Sequence, residues 1–536
     1  MIMDKLKRNW NYIALSIIII TSIVFRLFLF SNHSITFWFD QSRDAYLVRQ
    51  MVSDKKLKLQ GPSASGTSDS VFHGVLYYYF IAPFYYLGGG DPFFPTAALL
   101  IVGALAILPL FYLVKKVSGS DSVALVASLL YAFSSESIQL AGWISNPSLA
   151  VLPVILLFLV IWTVFYEQRK KYFWMLGLLL GILFQSVIWL AHFWLPFIVG
   201  VIYLIRVKDK NIISFLGKKQ IVLFAVAFFV TISTMLLVQF KLFRLGIFDP
   251  TSLITNSSTI ALFDSSPTTE FLQMYFDKTL RSLMPTFPLV SLTIASFFLF
   301  LIAKAKITVR YFLISFFLSP LLLLSFQFRR NIHILMGVEI VVLMALAWLI
   351  VNHKLFVKYR FANLSFSIFI VLLYLFSNAQ LNMSYKSNSS NVFSAQQGVH
   401  LKDQLQLIDK SYQLADGQPF SISSYTNPYG YNITWAYLYD WYGQKEYGYK
   451  PYFFGPSQEG LFGNDLLESV DHPEENHFYI IEPNVGAVDG FREKNIREQN
   501  LISRELEGYN FNSLLLQHRE PIETFVELVK DQMTDN

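Results

Sequence analysis

A mainly α, polytopic transmembrane helix bundle followed by a C-terminal extracytoplasmic α/β domain is the fold class this sequence predicts. Three observations predict it. The 536-residue chain is 54% hydrophobic and only 15% charged, with a mean hydropathy of +0.43, too apolar for a water-soluble body of that length. Its apolar residues fall into long runs joined by short basic connections. Its charge is segregated: residues 1–380 hold 31 Lys/Arg against 15 Asp/Glu, whereas residues 381–536 hold 11 against 22. A basic membrane part, 1–380, thus precedes an acidic soluble part, 381–536.

The basic excess sits where cytoplasmic loops retain positive charge during insertion, which argues against a nucleic-acid partner. The absence of cysteine excludes disulfides, a thiolate nucleophile and Cys-based metal sites.

Taken in order, Lys5, Lys7 and Arg8 precede the first apolar run, 12–30. No small-residue cleavage site follows, so the run reads as a retained anchor with a cytoplasmic N-terminus. A helix needs about 20 apolar residues to cross the hydrocarbon core. That ruler predicts eleven spans, near 12–30, 93–114, 120–135, 149–166, 172–188, 191–206, 220–240, 286–303, 309–326, 332–351 and 361–379. With this arrangement 19 Lys/Arg fall on the inner side and 11 on the outer, nearly all of the latter in two long loops. An odd count places residues 381–536 outside, in a multi-pass protein of the plasma (inner) membrane.

The two long outer loops, 31–92 and 241–285, are the candidates for function. The first predicts an amphipathic helix near 41–52, a Gly/Ser-rich turn at 61–70 and an aromatic helix at 74–87 lying in the headgroup layer. The second predicts a helix near Thr268–Arg281, placed to close over a ligand. In the tail, 401–416 reads as helix. Pro419–Ser423, His477–Ile481 and Phe511–His518 read as strands, and Trp435, Tyr437, Tyr439 and Trp441 alternate as a partly buried strand would.

Chemistry concentrates at Trp38-Phe39-Asp40-Gln41-Ser42-Arg43-Asp44, at the water edge of the first span. Charges beside hydrocarbon are costly unless paired, hydrated or in use. Asp40 and Asp44 are four apart and share a helix face, with Arg43 and Arg49 nearby. One carboxylate can serve as base while an arginine holds it ionised or grips an anion. The competing role for Asp40 is an ordinary N-cap.

The order of basic N-terminus, first span, Asp40-Gln41-Ser42-Arg43-Asp44-Ala45 and Phe72-His73-Gly74-Val75-Leu76-Tyr77-Tyr78-Tyr79 resembles membrane glycosyltransferases of the GT-C class. The resemblance is nearest to aminoarabinose transferases and protein O-mannosyltransferases, the family 39 type. Trp143-Ile144-Ser145-Asn146-Pro147-Ser148-Leu149 also looks like bacterial members. In that class an Asp-Glu pair opens the first outer loop and its Asp activates the acceptor; the resemblance puts Asp40 in that role, with Gln41 departing from the Glu. His73 opens the counterpart of a His-Pro-Pro-Leu segment, without its prolines. Asp44 falls outside the pattern and becomes a supporting acid, or the one that compensates for Gln41.

Transfer outside the cytoplasm implies a donor carried on a polyprenyl phosphate, and a leaving phosphate calls for cations at the outer interface. Arg329 and Arg330 stand at that depth, where arginines also snorkel. His333 lies one turn on, and Arg244 is a second-rank candidate. Glu339, about 13 Å from Arg330 by helix rise, is an intramembrane carboxylate that needs a partner or a task. His192 reads as structural. No cofactor is called for. A divalent cation is compatible with the chemistry, but no His/Asp/Glu cluster has metal-ligand spacing.

The expected activity is therefore transfer of a hexosyl or pentosyl unit, with inversion, to a lipid, glycan or protein acceptor. The rivals are a membrane lipid or solute transporter or flippase, and an oligosaccharyl or polymer ligase of the same fold. Nearly acid-free spans without an internal repeat count against transport.

Overall fold

The computed structural model describes residues 2–64, 71–247, 267–292, 305–325, 332–353, 360–388, 393, 398–484 and 490–522. The chain divides into two compact units. One comprises Met1–Phe28, Leu57–Phe80 and Ala97–Met383; the other comprises Leu29–Lys56, Ile81–Thr96 and Ser384–Asn536.

The first unit is a helical bundle. Among the described residues seven helices are long and apolar enough to cross a membrane: Asn9–Leu29, Phe93–Ser118, Asn146–Tyr166, Ile188–Arg206, Lys218–Arg244, Ile307–Leu324 and Phe361–Ser387. Asp121–Phe133 and Ser135–Gly142 make an eighth if their 52° bend lies within one span. Each corresponds to a run expected from the sequence. Of the remaining three expected spans, 172–188 and 332–351 coincide with the shorter helices Phe173–Ser186 and Val338–Asn352, and most of 286–303 lies outside the described residues. Among the described residues seven or eight helices thus pass on length and composition, and the expected count of eleven is not confirmed.

Local chemistry sets the turns. Phe93–Ser118 ends where Gly119, at φ +71°, donates to the Lys115 carbonyl at 2.9 Å, and Ser120 caps the next helix. Glycines let membrane helices approach closely: a Cβ at Gly177 would run into the Phe224 carbonyl, and one at Gly181 would sit 2.8 Å from the Thr231 Cβ. Packing of small residues supplies the attraction that apolar lipid cannot.

The helix 74–87 is observed as Leu76–Leu87, only 12 residues and too short to span. The helix predicted near Thr268–Arg281 is observed as Pro267–Arg281.

The second unit is built on a five-stranded sheet: β1 (Phe420–Tyr425), β2 (Tyr452–Phe453), β3 (Asn476–Ile481), β4 (Ser503–Phe511) and β5 (Leu514–Pro521). Its order is β2-β1-β3-β5-β4, with β1 parallel to β2 and β3, and β5 antiparallel to β3 and β4. The helix Leu401–Ala415 and two of the three expected strands stand close to where the periodicity puts them. The third expected strand, Phe511–His518, begins on the last residue of β4, takes in the two-residue turn and covers the first five residues of β5. The alternation of Trp435, Tyr437, Tyr439 and Trp441 misleads outright. These residues belong to the helix Ile433–Leu438 and a π-helical turn Tyr439–Gly443, and all four are buried. A helix wrapped by neighbours on every side shows no periodicity to read.

Both ends of the long loop 31–92, its residues 31–56 and 81–92, fold into this unit. Leu401 and Lys402 donate backbone hydrogen bonds to Ile35 and His33 at 2.8 and 3.0 Å, and the Tyr437 hydroxyl donates to Gly90 at 2.7 Å. The helix Phe39–Ser53 is tied to the tail through Ser42 and Thr434, whose hydroxyls lie 3.0 Å apart.

Candidate active site

Asp40 stands in the first turn of Phe39–Ser53. The helix begins there because Trp38 is extended, with φ −151°, and the Gln41 side chain accepts the Trp38 amide at 3.3 Å. Two sequence expectations are settled by this arrangement. Asp40 is not the N-cap, since Trp38 is. Gln41, where the resembling family has Glu, reaches back over the helix end and stabilises it.

Arg43 organises the two carboxylates. Its Nη1 lies 2.8 Å from Asp40 Oδ1, while Nη2 and Nε lie 2.8 and 3.0 Å from Asp44 Oδ1. The guanidinium also rests over the Phe39 ring at 5.7 Å. Side-chain exposure separates the acids: Asp44 is 2% exposed, Arg43 13% and Asp40 45%. Asp44 therefore fixes Arg43 from inside, and Arg43 holds Asp40 at the surface. This chain of contacts positions a carboxylate that faces solvent.

Arg49 does not join them. It pairs with Asp440 at 2.9 Å, which Lys450 shares at 3.1 Å. Farther along the helix the Tyr46 hydroxyl donates to Asp465 at 2.6 Å; burial, then that carboxylate, pushes its pKa up. These pairs anchor the helix that carries Asp40.

The helical unit holds a second cluster. Lys278, 1% exposed, forms an ion pair with Glu136, whose other oxygen accepts from the Ser282 hydroxyl at 2.8 Å. Glu339 accepts from Ser134 and lies within electrostatic reach of Glu136, Lys278 and Arg26. Arg26, buried in the first span, donates to the Ser137 carbonyl and hydroxyl at 3.2 and 2.9 Å and to Ser22 at 3.1 Å. His333 packs its ring against Trp143 at 5.8 Å and lies within electrostatic reach of His73 and Lys278. His73 in turn accepts the Ile188 amide at Nδ1, 3.3 Å away.

The structure thus brings His73, His333 and Glu339 into one neighbourhood. Glu339 does not continue a helix from position 332. It sits in the first turn of Val338–Asn352, after a short 3-10 turn, Ile332–Leu335, and Gly337 at φ +100°, so the rise-based distance does not apply. Arg329 and Arg330 lie outside the described residues. Arg244 is the exposed last residue of Lys218–Arg244. His192 has a partner on each ring nitrogen, Ser319 at 2.9 Å and the Ile334 carbonyl at 3.0 Å, as a structural histidine should.

Lys278 and Arg26 are the residues that sequence reasoning passed over. Lys278 had a signal: it lies on the stripe that carries Phe271 and Tyr275 and continues to Ser282, all buried. A lysine on the apolar side of an amphipathic helix needs a buried anion. Arg26 had one too, as the lone charge inside an otherwise apolar run.

No protein-family model matches the chain, and no curated protein matches it. Solved structures do. The chain is similar to ArnT from Cupriavidus metallidurans bound to undecaprenyl phosphate, at 10% identity and a TM-score of 0.56, over 94% of this chain and 97% of that one. The apo state of the same ArnT follows at 10% identity and 0.49, over 96% and 98%. The archaeal oligosaccharyltransferase AglB from Archaeoglobus fulgidus, in complex with an inhibitory peptide and a dolichol-phosphate, follows at 12% and 0.48, over 77% and 58%. The likeness to the first of these establishes a shared fold, the one expected from the GT-C resemblance.

Proposed function

We propose that this chain is an integral membrane glycosyltransferase that moves a sugar from a polyprenyl-phosphate carrier to a lipid, glycan or protein acceptor on the extracytoplasmic face. The observation that carries the reading is the surface carboxylate of Asp40, aimed by Arg43 and backed by the buried Asp44. A general base must reach its proton, and of the two acids Asp40 is the accessible one. The shared fold with a protein solved with undecaprenyl phosphate supports the donor class.

In the proposed reaction Asp40 takes the proton from an acceptor hydroxyl or amine. The freed lone pair attacks the anomeric carbon, and the bond from that carbon to the phosphate oxygen breaks with its electron pair. Polyprenyl phosphate leaves, and a single displacement inverts the anomeric centre. Cations stabilise the charge gathering on phosphate, because fixed positive groups in a dry site require no reorganisation. Lys278, with His73 and His333 close by, joins Arg244, Arg329 and Arg330 as the residues proposed for that task, and Glu339 supports Lys278. A divalent cation would add to the same stabilisation and is not required by the scheme.

The test is Asp40→Asn, assayed with a radiolabelled polyprenyl-phosphate sugar and an envelope extract as acceptor. Transfer should fall by about 1000-fold or more while donor binding persists. Turnover near the wild-type rate in this variant would remove Asp40 as base. Passage of labelled lipid across a vesicle without sugar transfer would indicate a flippase instead.

A further inference from the structure

Beside Asp40 the soluble unit presents a set of aromatic rings that the reaction scheme leaves unused. Phe39, the residue before the base, meets Tyr431 edge-on with ring centroids 5.1 Å apart. Tyr429, two residues earlier on the same loop, stacks on Phe491 at 5.3 Å and 18°. Tyr429 and Phe491 remain 37% and 38% exposed. Gly430, at φ +85°, makes the turn between the two tyrosines.

This loop is held rigidly from below by polar side chains that are themselves buried. Glu482 accepts the Asn427 amide at 2.9 Å and the Trp435 indole at 3.1 Å. Gln458 accepts the Asn432 amide at 3.1 Å and donates to the Gly430 and Pro456 carbonyls at 3.1 and 2.9 Å. The Tyr429 hydroxyl accepts from Asn495 at 3.2 Å, and Asn495 in turn accepts from Tyr479. Both the backbone and the ring are therefore fixed before any ligand arrives. A carboxylate and a carboxamide buried only to immobilise a surface loop have a cost, and what that cost secures is preorganised aromatic surface.

We propose that this loop and Phe39 form the acceptor platform and that the acceptor is a glycan. Aromatic faces receive the C–H faces of sugar rings, and Asn427, half-buried at the start of the same loop, adds a carboxamide of the kind that meets sugar hydroxyls. A peptide acceptor would want pockets or an open strand edge, and a lipid acceptor a continuous apolar surface. Neither describes two fixed tyrosines flanked by the rings of Phe39 and Phe491. The inference rests on the glycosyltransferase reading for its biological sense, but its test uses neither donor nor turnover.

Saturation-transfer NMR on the full-length protein in detergent would be run with soluble gluco-, manno- and arabino-oligosaccharides and a Ser/Thr-rich peptide. Wild type should receive transfer to at least one oligosaccharide and none to the peptide. Tyr429→Ala and Tyr431→Ala should weaken that binding at least tenfold and Tyr431→Phe should retain it; because Tyr429 stacks on Phe491 and Tyr431 meets Phe39, melting curves confirm that each variant is folded before its binding is compared. Lack of oligosaccharide binding by the wild type, unchanged affinity in the alanine variants, or capture of the peptide alone would overturn the proposal. Failure of the glycosyltransferase reading is read separately, as normal turnover by Asp40→Asn.

Discussion

Two carboxylates four residues apart in one helix do different work because their surroundings differ. Asp44 is enclosed and receives two of the Arg43 nitrogens; Asp40 receives one and keeps its outer side in water. Exchanging Asp44 for Asn should thus act through position. Removing the charge that fixes Arg43 lets Asp40 drift, and a misplacement of about 1 Å costs on the order of 100-fold in rate. Transfer by Asp44→Asn is expected to fall by about that factor, less than in Asp40→Asn, and kinetics of the two variants side by side check the order. Equal losses would mean that the acids share the base role. The spacing of the pair was legible in the sequence, but their ranking was not, since exposure depends on what the rest of the unit packs over each side chain.

At the scale of elements, the helix Pro267–Arg281 and the strand pair β1–β3 each carry a consequence. Lys278 commits its helix to the bundle through a buried ion pair with Glu136. Breaking one partner of such a pair leaves an unpaired buried charge, at a cost of about 3 kcal/mol or more, whereas removing both is often neutral. Lys278→Met should therefore lower the melting temperature and weaken donor binding about tenfold. Adding Glu136→Gln should restore the melting temperature without restoring donor binding. Recovery of both would make Lys278 a purely structural residue. Melting curves and a polyprenyl-phosphate binding assay supply the two readouts.

Between β1 and β3, His477 lies 2.8 Å from the Ser421 hydroxyl and 3.1 Å from that of Ser423. Burial pushes it down to about 3, and burial does the same to His400 ahead of the helix Leu401–Ala415. Both are neutral in the folded unit, while the unfolded chain binds protons at the ordinary value of 6.5. The unfolded state then holds more protons, so stability is lost as pH falls from about 6.5 toward 3. Thermal melts between pH 7 and 4 should show that slope, and His477→Gln should reduce it by the equivalent of one proton. An unchanged slope would assign the acid sensitivity elsewhere.

At the scale of the molecule, the segment 29–56 that carries Asp40 is a structural part of the sheet-containing unit. Residues 29–56 hydrogen-bond to the tail through Ile35, His33 and Ser42, and Arg49 pairs with Asp440. Deleting 385–536 would remove the surface on which Phe39–Ser53 is built. Such a truncation is expected to abolish transfer outright, for every acceptor, with donor binding retained by the helical unit. Transfer that persists with a changed acceptor preference would show that the tail only selects acceptors.

What the sequence by itself determined is what local chemistry and hydropathy encode. Apolar runs about as long as the hydrocarbon core is thick, basic connections and an acidic tail identify a helical membrane bundle followed by a part of different composition, and the Asp40–Asp44 cluster marks where charge follows the first apolar run. What only the tertiary structure decided is everything that depends on distant chain segments meeting. Examples are Trp435 to Trp441 folding as buried helix instead of strand, Lys278 finding Glu136 across 142 residues of chain, and Phe39 meeting Tyr431. Periodicity reports a single boundary between water and apolar surroundings, so it fails for elements enclosed on all sides. Pairing of buried charges carries no local signature except the misplaced charge itself.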